Sequence, residues 1–383
     1  MNIKPKTVLL FTLPSFSGGG AERVFLNLIN NMSRDIFEVH VVVGKFEGIY
    51  CNDLTHNVTL HEIGTTKALY SLGKFIKIIL KVKPDIVLST LGYVVTSSIA
   101  SLVISNKIVF ISRFGNTLSA FLEHEKSKSR VRYYFQYLLN KSVIHLSDLL
   151  IVQSNHMRDD LKKTFRLNNN LIQKIIKINN PVEFDLINLT EKNNVFNDFF
   201  NNNFVFISVG ALKHQKNYED LLKAFKLVIK DFPNTRLMIL GEGANRASLE
   251  KIISDNNLNN SVLLPGFINN PESIVSKSDF FVSSSIYEGV SNAILESLAL
   301  GIPVIATNCP SGIGEIIDEG KNGYLVSVDG NIVENLAKKM SFVIRDYEVS
   351  DSIKISKKIK EEFDINIISK QYEIVFLDAL KKT

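Results

Sequence analysis

Cysteine is scarce: Cys51 and Cys309 are the two in 383 residues, and they lie far apart. They make neither a disulfide framework nor a metal-ligand cluster, which fits a reducing cytoplasm. A secretory leader is not read either. The start, "MNIKPKTVLLFTLPSF", joins a basic flank to a short apolar run, and "SGGGAERV" then opens a helix. A first buried strand is the better reading. Without a secretory route, the triplets "NVT" and "NLT" are not glycan acceptors. Membrane-spanning length is approached at residues 86–105, where twenty residues carry no charge. Five serines, two threonines and Gly92 interrupt that run, so it reads as a buried strand, a turn at Gly92 and a buried helix. Short-period repeats are absent. Global disorder is excluded by a hydrophobic content of 45% against 22% charged.

Acids are missing from one stretch. "LYSLGKFIKIILKVK" (69–83) has four lysines, no Asp or Glu, and apolar residues every three or four positions, as on an amphipathic helix. Residues 113–177 carry twelve Lys or Arg against five acids, in a chain of net charge +5. Two readings stay open: a solvated basic face, or contact with an anionic membrane surface or a phosphorylated partner.

What is present is an alternation of β-rich apolar runs with helical patterns, the mark of parallel sheets covered by helices. The length exceeds one ordinary core and suits two domains. Strands are expected at "TVLLFTL", "EVHVVVG", "VTLHEI", "DIVLST", "KIVFISRF" and "DLLIVQS", and again at "FVFISVG", "RLMILGEG", "SVLLPGF", "FFVSSS", "PVIAT" and "GYLVSV". Asparagine-rich "NLTEKNNVFNDFFNNN" (188–203) reads as a loop or hinge between the halves. The expected divisions are 1–183 for a first Rossmann-like domain, 184–203 for a linker, 204–362 for a second domain, and 363–383 for a final helix returning to the first. Ligands of such sheets bind beyond the carboxyl ends of the strands, so two sheets on one hinge are expected to face a shared cleft.

Three strand-to-helix turns hold chemistry-bearing residues. In "PSFSGGGAERVF" (14–25), Gly18, Gly19 and Gly20 let the backbone approach a ligand and leave helix N–H groups for an anion. A tight strand–helix turn is the competing reading. A dinucleotide site is not favoured, because G-x-G-x-x-G with an acid about twenty residues on does not occur. In "SVGALKHQKNYEDLLKAF" (208–225), a strand ends at Gly210, and Lys213, His214 and Lys216 occupy the loop, where a lysine can neutralise a diphosphate. In "SSSIYEGVSNAILESLALGIPVIAT" (283–307), a helix is expected from near Ser291 to Leu300, stopped by Gly301 and Pro303. Glu288 precedes it and Glu296 lies inside it, which places their carboxylates roughly 10 to 12 Å apart. That span suits a nucleotide sugar, with its diphosphate against the N–H groups of Val290, Ser291 and Asn292 and its ribose hydroxyls on Glu296. A capping acid plus a surface helix acid is the alternative for the pair alone.

With these residues in place, the chain resembles glycosyltransferase family 4, retaining nucleotide-sugar enzymes of the GT-B architecture, over nearly its whole length. The likeness is carried by "GGAERV", "VGALKHQKNYEDLLKAF", "LMILGEGA", "VLLPGF", "EGVSNAILESLALGIPVIATNCPSGIGEII" and "GKNGYLV", and most specifically by the E-x7-E pattern of "EGVSNAILE". The resemblance implies an α/β GT-B fold, two Rossmann-like doubly wound domains facing a central cleft. It also implies the branch that builds bacterial surface polysaccharide, O-antigen or capsule, on a lipid carrier. Glu288 and Lys216 become the expected catalytic residues, the first at the donor hexose and the second at the diphosphate. Gly210, Lys213, Gly289, Val290, Ser291 and Asn292 surround the donor, Glu296 holds its ribose, and the backbone near Phe267 meets its base. Gly19 and Gly20 approach the phosphates from the other domain. Two positions depart from the pattern: Ala211 stands where the family often has arginine, and Gly115 of "ISRFGNTLS" where many relatives carry histidine. Arg113 and Asn116 are candidates for the acceptor side. So are Lys128, Arg130 and Arg132 of "HEKSKSRVRYYFQYLLNKS", read as meeting a polyprenyl-diphosphate-linked glycan and the inner leaflet.

No Asp-x-Asp pair occurs. Lysine plus a helix N-terminus can serve in place of a metal, so metal-independent transfer without a cofactor is expected. On family grounds the nucleotide is UDP, and the chain is expected in the cytoplasm, peripherally on the membrane, with no nucleic-acid partner. Three rivals remain. A glycosidase sets its carboxylates about 5 to 9.5 Å apart across one bond and needs no anion site. A nucleotide-sugar epimerase of the same fold stands closer. A basic membrane- or nucleic-acid-binding module would leave the glutamates and glycines without a role.

Overall fold

The structure, a computed structural model, describes residues 5–104, 107–184, 196–346 and 351–382. The chain divides into two compact units, Met1–Pro181 with Ile365–Thr383, and Val182–Asp364. Of the expected linker, residues 185–195 lie outside the described residues, and Asn197–Phe200 forms a short helix.

In the first unit the strands are Thr7–Leu13 (β1), Phe37–Val43 (β2), Thr59–Glu62 (β3), Ile86–Thr90 (β4), Val109–Arg113 (β5), Leu149–Val152 (β6) and Ile175–Lys177 (β7). They form one parallel sheet in the order β3-β2-β1-β4-β5-β6-β7. Such a sheet is covered on both faces, so its central strands are apolar on both sides. Leu9, Phe11 and Leu13 of β1 enter one core, with Phe25 of helix Gly20–Asn31 and Tyr372 and Phe376 of helix Ile365–Leu380. Leu10 enters the opposite core, with Phe75 and Ile79 of helix Ala68–Val82. The uncharged run resolves into β4 and the buried helix Tyr93–Ser101.

In the second unit Phe204–Val209 (β8), Thr235–Leu240 (β9), Val262–Gly266 (β10), Phe280–Ser283 (β11), Val304–Thr307 (β12) and Gly323–Val326 (β13) form a parallel sheet ordered β10-β9-β8-β11-β12-β13. Phe206 and Ile207, adjacent on β8, enter opposite cores. All twelve expected strands form, and β7 is an addition. Near the final helix expected at 363–380 the structure has Ile365–Leu380, preceded by helix Ser352–Phe363 and parted from it at Asp364.

Candidate active site

At the carboxyl end of β8 the chain runs through Gly210 into one 3-10 turn, His214–Lys216, and then helix Tyr218–Asp231. A Cβ at Gly210 would stand 2.9 Å from both Lys216 Cε and Tyr218 Oη. Glycine is needed there to admit the lysine stem. At the end of neighbouring β11, a serine-rich turn leads to helix Asn292–Ala299. β8 and β11 flank the point where strand order reverses, the place where such sheets open a crevice.

Hydrogen bonds join the two turns. Lys216 Nζ donates to Glu288 Oε1 at 2.7 Å, and Ser285 Oγ donates to the same oxygen at 2.9 Å. Gln215 Nε2 donates to the Tyr287 carbonyl at 2.9 Å and to Glu288 Oε2 at 3.3 Å. Ser284 Oγ donates to the Lys216 carbonyl at 2.8 Å, and the Ile286 N–H to the Gln215 carbonyl at 3.0 Å. Glu288 is buried, and its own N–H donates to the Pro310 carbonyl. Burial by itself would depress the Lys216 ammonium, but Glu288 foremost, together with Tyr218 and Cys309, more than reverses this and holds it above the ordinary lysine value. Lys213, at the rim, is pushed the other way by desolvation and by Lys216.

The helix after Ser291 starts without a side-chain capping bond. It ends where expected, in a Schellman motif: the Gly301 N–H donates to the Leu298 carbonyl at 2.9 Å and that of Ile302 to the Ser297 carbonyl at 3.0 Å, with Gly301 at φ +79°. Gly289 accepts from the Gly312 N–H, while the Val290 side chain is buried in the core. Asn292 and Glu296 are half-buried, and Glu296 lines a shallow depression with Val209, Pro271, Glu272 and Ala293. Phe267 is exposed beyond β10. Among the described residues no group of three or more His, Cys, Asp or Glu side chains is placed to hold a metal ion.

Several expectations for the first unit are corrected. The N–H groups of Gly18 and Gly19 are not left open to an anion. Both donate to Glu22 Oε2, at 2.9 and 2.8 Å, and Ser15 Oγ donates to Oε1 at 3.1 Å. Glu22, three residues past the cap position Gly19, folds back as the acidic half of a capping box. Gly20 is the first helical residue. Arg113 does not present its guanidinium to a surface: it is 1% exposed and donates to Asn180 Oδ1 inside the unit. Lys128 and Arg132 keep exposed side chains and both pair with buried Glu125, at 2.8 and 2.9 Å. Arg130 is exposed, and Asn116 is half-buried before helix Leu118–Lys128. Sequence reading missed Glu22, Glu125, Gln215 and Ser285. The three-residue spacings Gly19 to Glu22 and Glu125 to Lys128 were available as signals; Gln215 and Ser285 had none.

Two Rossmann-like parallel sheets, with this Lys–Glu pair at the edge of one, have the fold of the GT-B glycosyltransferases. HepE of Anabaena, solved in complex with UDP and glucose, superposes with a TM-score of 0.80 at 18% identity, covering 97% of this chain and 100% of its own. Residues 18–186 match the model of Glycosyltransferase Family 4, and residues 190–361 that of Glycosyl transferases group 1. An uncharacterised glycosyltransferase of Methanocaldococcus jannaschii is 31% identical over 289 residues, 72% of this chain and 67% of that one. The N-acetylgalactosamine-N,N'-diacetylbacillosaminyl-diphospho-undecaprenol 4-alpha-N-acetylgalactosaminyltransferase of Campylobacter jejuni is 30% identical over 324 residues, 82% of this chain and 84% of that one. The chain belongs to the family 4, group 1 glycosyltransferases.

Proposed function

We propose that the enzyme moves a hexose or N-acetylhexosamine from a UDP-sugar to a lipid-diphosphate-linked or growing surface glycan, with retention of configuration and without a metal. The buried Lys216–Glu288 pair carries this reading. As the bond from the anomeric carbon to the donor phosphate breaks, negative charge gathers on the diphosphate and positive charge on the sugar. Lys216 and the amide dipoles at the start of helix Asn292–Ala299 answer the first, and the Glu288 carboxylate answers the second. The acceptor hydroxyl attacks from the face the diphosphate leaves, and its proton passes to the departing phosphate oxygen. Glu296 receives the ribose, and Gly210, Lys213, Gly289 and Phe267 frame the donor. UDP is favoured by the nucleotide bound in the Anabaena structure, and a lipid-linked acceptor by the name of the Campylobacter relative.

Membrane contact follows from a different observation. Helix Arg130–Leu146 exposes Val131, Tyr134, Phe135 and Leu138, spaced to form one stripe, beside exposed Arg130 and Lys141. Among the described residues no helix is long and apolar enough to cross a membrane, and the proposed contact is peripheral, on the cytoplasmic leaflet. The purified protein, given radiolabelled UDP-sugars and a lipid-linked glycan, is expected to form labelled glycolipid, with turnover unchanged by EDTA. Interconversion of free nucleotide sugars without transfer would return the epimerase reading. EDTA inactivation reversed by a divalent cation would remove the metal-free part.

A further inference from the structure

Gln215 sits between His214 and Lys216, is 7% exposed, and holds the opposite turn by both backbone and side chain. Lys216 Nζ and Ser285 Oγ both pull on Oε1 of Glu288. Both of these donors act on the same side of the carboxylate. The Gln215 amide reaches the other oxygen while bonded to the Tyr287 carbonyl one residue earlier. Three directions of pull then fix the plane of the carboxylate as well as its position.

We propose that Gln215 is a positioning residue, whose amide holds the Glu288 carboxylate in one orientation on Lys216 before any donor arrives. The inference rests on the transferase reading for its catalytic consequence, though not for its geometry. Charges set in place beforehand need no reorganisation during bond breaking, which is where electrostatic catalysis gains most.

Gln215→Met keeps the length and volume of the side chain and removes both donations. Acylation of Lys216 by an amine reagent, read by peptide mass spectrometry, is expected to rise about tenfold or more as its partner loosens, a response to the two lost hydrogen bonds and a less constrained carboxylate. Turnover of UDP-sugar is expected to fall about ten- to a hundredfold, with the donor KM changed by less than about threefold. Gln215→Glu supplies a second arm. The introduced carboxylate repels Glu288 at neutral pH, but once protonated it donates again, so relative turnover recovers on acidification. Unchanged Lys216 acylation in Gln215→Met overturns the proposal, whatever the turnover. Raised acylation in a protein that transfers no sugar from any nucleotide donor leaves the role of Gln215 standing and removes the transferase reading instead.

Discussion

In the first unit, the glycine-rich turn after β1 is closed by its own chain: Glu22, three residues past the cap position Gly19, takes the N–H groups of Gly18 and Gly19. In the second unit, Glu288 lies three residues before the cap position Ser291, and its partners are Lys216 and Gln215 from the neighbouring strand end together with Ser285 of its own turn. Both turns are small-residue links from a parallel strand to a helix, and each carries one buried glutamate. The side of the cap decides the outcome. Inside the first turn, a carboxylate folds back and satisfies the helix. Ahead of it, the same group lies across strand ends and requires a cation. In this chain the acid at the third helical position takes the Gly18 and Gly19 N–H groups that a glycine-rich turn would otherwise offer.

Removing the two carboxylates breaks this comparison most directly. Glu288→Gln is expected to lower kcat about a hundred- to a thousandfold with the fold intact, the range for losing a preorganised charge at a reacting centre. Glu22→Ala is expected to leave kcat within about threefold and to cost roughly 1 kcal/mol of stability in urea melts, the usual value of a lost cap. Equal losses of turnover in the two variants would show that the first turn serves the reaction as well.

The units differ again at their surfaces. Among the described residues, the first exposes Leu69, Tyr70 and Leu80 on one helix and Val131, Tyr134, Phe135 and Leu138 on another, besides others such as Leu102, Val103 and Ile374, whereas the second exposes Leu227, Phe267, Val328 and Ile353 singly along the chain. Tyr134→Ser with Leu138→Ser is expected to reduce sedimentation with anionic vesicles about tenfold or more, from the apolar area withdrawn. Leu227→Ser is expected to leave it unchanged. Equal effects from both sites would mean that contact is not localised to the first unit.

Much of this was legible in the residues. Strands such as "TVLLFTL" and "FVFISVG" are runs that only a doubly covered sheet buries, and "LALGIP" spelled its helix stop because Gly301 must take a left-handed φ. β7 was not legible, since Ile175–Lys177 is too short at a sheet edge to show a pattern. Lysine and glutamate were found at the site, while Gln215 passed unnoticed. A single 3-10 turn points successive residues in different directions, and nothing in "KHQKN" says which one faces inward. Lys128 and Arg132 are exposed, as clustered cations suggest, and what went unread is that Glu125, three residues before Lys128, pairs with both.

The smallest expected effect separates the ion pairs of the two units by pH. Glu125 is held below its ordinary value of 4.5, chiefly by the Lys128 hydrogen bond, against burial and with help from Arg132. The unfolded chain thus binds the proton more readily than the folded one, so this pair adds stability above pH 4.5 and loses it as pH falls through the folded value. Lys216 is raised above its ordinary 10.5, so its contribution is complete below that pH and is lost only as pH rises through the folded value. Lys128→Ala with Arg132→Ala should lower urea stability at neutral pH by under about 1 kcal/mol, since both cations are largely exposed. That gap should close in acid, as Glu125 protonates in both proteins, and stay constant in alkali, whereas a Lys216→Met gap should narrow in alkali as Lys216 loses its proton. A Lys128/Arg132 gap that stays open at low pH would mean that packing of the long side chains, rather than charge, ties helix Leu118–Lys128 to helix Arg130–Leu146.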